Sequence, residues 1–173
     1  MRDPDDDPIR TEARGRQLMA DAEEAIVRGV ERLGPQWVER TVRAVLDAAV
    51  DVDAEASATV LADLGAVARA ATDRVLAALR ALFAVDPVDH RATPLEIVRS
   101  LRREPTQLLA RSGVPPVPRD QYETRSFPDD VYGIVPRSLA DLGDEELGHQ
   151  MLAWGIGKTT VLRARSALPG DRG

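Results

Sequence analysis

The sequence contains no cysteine and very few aromatic residues. Without cysteine, the 173-residue chain can form neither a disulfide nor a thiolate site for catalysis or metal binding. Aromatic residues make up only 3% of the chain, so leucine, valine and alanine must fill the interior. Alanine-rich interiors are typical of closely spaced helices, whereas strands would require more isoleucine, tyrosine and phenylalanine. These shortages predict an all-α fold.

Long apolar runs are lacking as well. No run approaches the roughly 20 residues that span a bilayer, and the acidic start lacks the basic and apolar regions of a signal peptide. The formal net charge of -6 argues against non-specific binding to nucleic acid or to an anionic membrane surface. We therefore expect a cytoplasmic protein without a membrane partner, and nothing in the composition indicates a cofactor.

The first half of the chain predicts a helical hairpin or a layer of three helices, with a long third helix, over residues 12–85. It follows an acidic and disordered tail over residues 1–11. Gly34 and Pro35 are expected to end the first helix and to begin the second. Asp53 can cap a third helix over residues 54–84. The pattern does not exclude one continuous helix from 35 to 84, although ordinary helix lengths favour a break.

The third helix carries a wide apolar stripe, with residues spaced alternately by three and four. The stripe could be the core of a helical layer or a seam for self-association. An intramolecular core is favoured because the two shorter amphipathic helices need a surface to cover. The stripe consists of Leu61, Leu64, Ala68, Ala71, Val75, Ala78 and Leu82.

A smaller helical unit is predicted over residues 86–168, followed by a disordered end over 169–173. Its first helix begins at a capping box formed by Thr93 and Glu96. Pro105 is expected to end or kink this helix, and Gly113 to end the short segment after it. Asp144 can cap a last helix that runs to about residue 167.

The last helix contains three interior glycines, Gly148, Gly155 and Gly157, whose cost in helix stability predicts close approach of another backbone. The run from Gly155 to Thr160 resembles the end of a phosphate-binding P-loop. The first glycine of that motif is replaced by Leu152, and no buried strand precedes it. We therefore predict a packing helix and no nucleotide site.

A proline-rich loop over residues 113–137 is expected to be ordered and to cross the last helix. Pro115, Pro116 and Pro118 favour extended backbone, and Gly133 can supply a positive φ. The aromatic rings of the loop need burial, which predicts that they hold it on the helices. Its mixture of charge and aromatic side chains makes it the predicted interaction site, with candidate residues Arg119, Asp120, Tyr122, Arg125, Phe127, Asp129, Asp130 and Tyr132.

Two alternatives to a binding role stay open. An enzyme could use the carboxylates around Asp129, together with His90 or His149, although no spacing is diagnostic of a metal or acid–base site. An RNA-binding module could use the arginines between Arg99 and Arg125, although interleaved acidic residues cancel much of their charge. We assign no catalytic, metal or cofactor residue.

The motifs TPLEIV, GVPPVPRD, RSFPDDVYGIVP, SLADL and WGIGK follow one another between residues 93 and 164. In this order they resemble an uncharacterised family of small actinobacterial proteins. The resemblance covers less than half of the chain, and it implies that this segment is one unit without implying any activity. The sequence as a whole favours a non-catalytic interaction or regulatory protein, because its notable features are contact surfaces.

Overall fold

The computed structural model describes residues 7–89, 91–117, 132–134, 142 and 145–168. In this part of the chain every regular element is helical, which confirms the all-α class. The elements are α1 (Pro8–Ala48), α2 (Ala54–Phe83), α3 (Pro94–Val98), a 3₁₀ helix (Arg99–Arg102), α4 (Arg103–Arg111) and α5 (Glu145–Ala167). Helix α1 lies between α2 and α5, and the short elements cover the other side of α2.

Helix α1 begins at Pro8, where the sequence predicted a tail that extends to residue 11. The earlier start of the helix has a local cause. The Asp7 carboxylate accepts a hydrogen bond from the backbone N–H of Ile9 at 3.1 Å, and Pro8 occupies the first position of the helix, where its missing N–H costs nothing. Residues 1–6 lie outside the described part of the chain.

Helix α1 also continues through Pro35, so the predicted end at Gly34 is wrong. A proline inside a helix costs about 3 kcal/mol. Trp37 and Val38, which follow it, are buried on the same stripe as Leu33, and burial of one such side chain contributes about 1.5–3 kcal/mol. Continuing the helix therefore gains more than the proline loses.

The chain does break between α1 and α2, which settles the question that the pattern left open. Asp51 has a φ of 62°, and Asp53 accepts a hydrogen bond from the N–H of Glu55 at 3.3 Å. Helix α2 then follows the predicted range, and its apolar stripe packs inside the chain. Leu61, which is 41% exposed, and the half-buried Ala78 are the exceptions.

The capping box of α3 is confirmed. The Thr93 N–H donates to Glu96 Oε2 at 2.8 Å, and the Glu96 N–H donates to Thr93 Oγ1 at 3.4 Å. The helix that begins at Pro94 ends earlier than predicted, at Val98, and Pro105 is the third residue of α4. The backbone changes to 3₁₀ geometry over Arg99–Arg102, so Pro105 lies in a first turn, where no N–H is needed.

Helix α4 ends in a Schellman motif, as the glycine predicted. Gly113 has a φ of 74° and donates its N–H to the Ala110 carbonyl at 3.1 Å. The Val114 N–H donates to the Leu109 carbonyl, also at 3.1 Å. Both Val114 and Leu109 are buried, which adds the apolar contact that accompanies this cap.

The described part of the proline-rich loop is fastened to the end of α4. The Tyr132 side chain is buried, and its hydroxyl donates to the Val114 carbonyl at 2.8 Å. Gly133 has the predicted positive φ, at 68°, and Ile134 is fully buried. Anchoring by an aromatic ring is thus confirmed at Tyr132. Phe127 and the predicted crossing over the last helix lie outside the described residues.

Candidate interaction surface

Most of the predicted interaction residues fall where the structure gives no description. The exception is Tyr132, which is only 5% exposed and uses its hydroxyl within the fold, so it offers a partner little surface. Burial raises the pKa of its phenol. The candidates outside the described residues are Arg119, Asp120, Tyr122, Arg125, Phe127, Asp129 and Asp130.

The alternative sites are only partly described. His149 is exposed on α5, whereas His90 and the carboxylates around Asp129 lie outside the described residues. Within the described ranges, no group of three histidine or acidic side chains could hold a metal ion. In the basic region, Arg103 is exposed and Arg111 forms an ion pair with Asp63 at 3.6 Å.

Helices α1 and α5 approach closely at a pair of glycines. A Cβ atom on Gly157 would lie 2.8 Å from the Gly15 carbonyl oxygen and 2.7 Å from Met19 Cγ. A Cβ on Gly15 would lie 2.9 Å from the Gly157 carbonyl oxygen. The predicted close approach is therefore confirmed at Gly157. Its partner Gly15 was not predicted from the sequence, although a glycine inside a long helix was the available signal.

Trp154 fixes the same face of α5 to α1 and α2. Its buried indole N–H donates to Glu23 Oε1 at 3.0 Å, and its ring centroid lies 6.2 Å from that of Phe83. The Lys158 ammonium lies 5.4 Å from the centre of the Trp154 ring. Burial raises the pKa of Glu23, and the hydrogen bond from Trp154 opposes this shift.

A cluster of ion pairs joins the ends of three elements. Arg165 on α5 donates to Asp86, in the turn after α2, at 2.9 and 3.1 Å and to Glu12 on α1 at 3.0 Å. Arg16 binds the same two carboxylates. The Val88 N–H, followed by Arg165 and Arg16, holds the pKa of Asp86 well below its usual range. The hydrogen bond from Arg165 also lowers the pKa of Glu12.

An open cleft of about 370 Å³ lies beside this cluster, between α1 and the turn after α2. Arg16 and Glu23 are the charged groups on its α1 side. Arg16 is held by Glu12 and Asp86, and Glu23 accepts from Trp154. The charges of the cleft are thus engaged in holding the helices together, and we do not assign a ligand to it.

The opposite side of α5 is different, because it exposes apolar residues in the middle of a helix. Leu152 is 63% exposed and Ile156, one turn later, is 51% exposed. A Cβ on Gly155 would meet no atom of the other described residues within 4 Å, apart from its chain neighbours and the backbone of its own helix. We call this side the outer face of α5 and define it by Glu145, Gly148, Leu152, Gly155, Ile156, Thr159 and Arg163.

Hydroxyl groups on and beside the outer face are turned back onto the helix. Thr159 Oγ1 donates to the Gly155 carbonyl at 2.9 Å, and Thr160 Oγ1 donates to the Ile156 carbonyl at 2.8 Å. Because these hydroxyls are already hydrogen-bonded, the face is less polar than its sequence suggests. A shallow groove of about 440 Å³ runs along it between Leu152 and Arg163.

The outer face was not predicted from the sequence, where the apolar residues of this helix were assigned to packing. Leu152 and Trp154 are two residues apart, which places them on nearly opposite sides of a helix. The signal was the presence of apolar residues on both sides of α5. One side is buried against α1, whereas the other has no described residue covering it.

The chain matches no protein-family model, no curated protein and no solved structure. The resemblance to an actinobacterial family therefore stays a prediction. Among the described residues, no helix combines the length and apolar content needed to cross a bilayer.

Proposed function

We propose that this chain is a non-catalytic interaction protein that binds another protein surface through the outer face of α5. The observation that carries the proposal is the exposure of Leu152 and Ile156, at 63% and 51%, in the interior of a helix whose other side is buried. Burial of a fully exposed leucine or isoleucine contributes about 1.5–3 kcal/mol, so even partial burial of both favours association.

The glycine between these residues supports the same conclusion. Glycine costs about 1 kcal/mol relative to alanine inside a helix. At Gly157 the cost is offset by the close approach of Gly15, but none of the described residues approaches Gly155. A second backbone that packs against the outer face would use the room that the missing side chain leaves at Gly155.

The outer face is also held rigidly from behind. Trp154 binds Glu23, Gly157 packs on Gly15, and Arg165 fixes the end of the helix. A rigid helix loses little conformational freedom on binding, so more of the contact energy becomes affinity. This geometry suits the docking of one helix against another.

The proposal can be tested by photo-crosslinking in the native host. A photoreactive amino acid at Thr159, an exposed position on the outer face, should give an adduct with an identifiable protein. The control places it at Ala70, an exposed position on α2. Leu152→Ser should suppress the adduct from position 159. Equal adducts from both positions, or none from position 159, would contradict the proposal.

A further inference from the structure

We infer that the partner of the outer face of α5 is a second copy of α5, packed antiparallel about a two-fold axis near position 154. The inference rests on the proposed function and identifies the protein that binds the outer face. Its basis is the order of residues along the outer face, where apolar and charged side chains are placed symmetrically.

The symmetry can be read from the residue numbers. Leu152 and Ile156 lie at equal separations on either side of position 154, and so do Glu145 and Arg163. The spacings of seven, four and seven keep all four residues on one side of the helix. An antiparallel pair therefore places Leu152 of one copy opposite Ile156 of the other.

Charge selects both the orientation and the partner. In the antiparallel pair, Glu145 of each copy lies near Arg163 of the other, so two opposite-charge contacts form. A parallel pair would place like charges together at both ends, which is unfavourable. The outer face is therefore self-complementary, as a two-fold interface between identical subunits requires.

The middle of the outer face permits close packing. Gly155 lies next to the proposed axis and has open space where a side chain would be. Small residues at a helix crossing let the two axes approach closely. The apolar area of a single helix pair is small, so we expect a weak dimer that forms as the concentration rises.

The first test is sedimentation equilibrium of the full chain over a wide range of concentration. Arg163→Glu should weaken the dimer about tenfold, because both contacts are replaced by repulsion. The double variant Glu145→Arg/Arg163→Glu restores the opposite charges and should recover the dimer. Leu61→Ser, on the exposed part of α2, serves as the control and should leave the dimer unchanged. A double variant as weak as Arg163→Glu would overturn the antiparallel pairing.

The second test uses the absence of cysteine in the chain. Gly155→Cys lies one residue from the axis, so the two copies are offset by only about 3 Å along the helices. A disulfide can then form where the small residues let the helices approach closely. Thr159→Cys lies five residues away, and its copies are offset by about 15 Å, which is too far. Oxidation should therefore link Gly155→Cys and not Thr159→Cys. Linking of both would indicate a parallel pair and overturn the inference.

The two proposals can fail separately. A chain that stays monomeric at every concentration, but gives an adduct with a different protein from position 159, overturns self-pairing and leaves the interaction role standing. A monomer without any adduct at that position overturns both. Circular dichroism of each variant shows whether it is folded, which the exposure of the substituted side chains leads us to expect.

Discussion

Two glycines on α5 have different surroundings and therefore different roles. Gly157 lies against α1, where a Cβ would come within 2.8 Å of the Gly15 carbonyl oxygen, whereas Gly155 faces open space. Real Cβ atoms essentially never approach backbone oxygen so closely, so a side chain at Gly157 would force the two helices apart. The need for glycine at position 157 is therefore a matter of packing.

Gly157→Ala should lower the free energy of unfolding by about 1–3 kcal/mol, because overpacking outweighs the gain in helix propensity. Urea denaturation measures the change. Gly65→Ala is the matched control, since a Cβ there would lie 3.7 Å from Arg69 Nη1, an ordinary contact. That variant should gain up to about 1 kcal/mol from helix propensity. A stabilising Gly157→Ala would show that α1 and α5 are less tightly packed than the glycine contact indicates.

Glu23 gives a second prediction for a single residue. Its folded-state pKa is raised by burial, so the folded protein binds this proton more tightly than the unfolded chain. Stability from this group is complete below the unfolded pKa and is lost as the pH rises through the folded pKa. Glu23→Gln cannot ionise, and its amide oxygen can still accept from Trp154. The variant should therefore be more stable than the natural protein at pH 7.

The advantage of Glu23→Gln should shrink towards zero as the pH falls to about 4 and below, where the natural carboxyl becomes protonated in the unfolded chain as well as in the folded protein. Chemical denaturation at the two pH values measures it. Glu24→Gln is the control, because Glu24 is exposed and forms a surface ion pair with Arg28 at 2.9 Å. It should change stability little at either pH. A gain from Glu23→Gln that is the same at pH 4 and 7 would mean that ionisation of Glu23 is not its cause.

At the scale of helices, the features that were predicted most accurately from the sequence are those that residues close in sequence determine. The caps at Asp53 and Gly113 and the box at Thr93 each depend on residues within a few positions, and all three are present. The continuity of α1 through Pro35 was not predictable in this way. It depends on burial of Trp37 against distant parts of the chain, which outweighs the local penalty.

The same reasoning explains the candidate site. Alternating apolar spacing identified the buried stripe of α2 because that helix has one apolar side. Helix α5 carries apolar residues on both sides, so the pattern could not tell the buried Trp154 from the exposed Leu152. Only the position of α1 distinguishes them.

Pro35 offers a test of this balance between local and distant interactions. Pro35→Ala restores a helical N–H and removes a steric conflict, so it should raise the free energy of unfolding by about 1–3 kcal/mol. Pro94→Ala is the control, since Pro94 is buried at the first position of α3, where proline is favourable. It should be neutral or destabilising. If Pro35→Ala destabilises the protein, the packing of α1 requires the local geometry of the proline.

For the molecule as a whole, the ion-pair cluster holds together the start of α1, the end of α5 and the turn after α2. Arg165 links the end of α5 to the start of α1 and to the turn after α2 through Glu12 and Asp86. These elements are far apart in sequence, and their ends would otherwise fray. The folded-state pKa of each carboxyl is lowered, so its contribution is present above the unfolded pKa and is lost as the pH falls.

Asp86→Asn isolates the charge in this cluster, because the amide oxygen can still accept from the Val88 N–H. The variant should be less stable than the natural protein at pH 7. The difference should shrink as the pH falls below about 4, because the unfolded chain then binds a proton at Asp86 that the folded protein resists. Salt should also reduce the difference at pH 7. Asp89→Asn, an exposed change in the same turn, should show neither effect. Denaturation across this pH range measures both variants. A constant difference between Asp86→Asn and the natural protein at every pH would mean that the charge of Asp86 does not hold the three elements together.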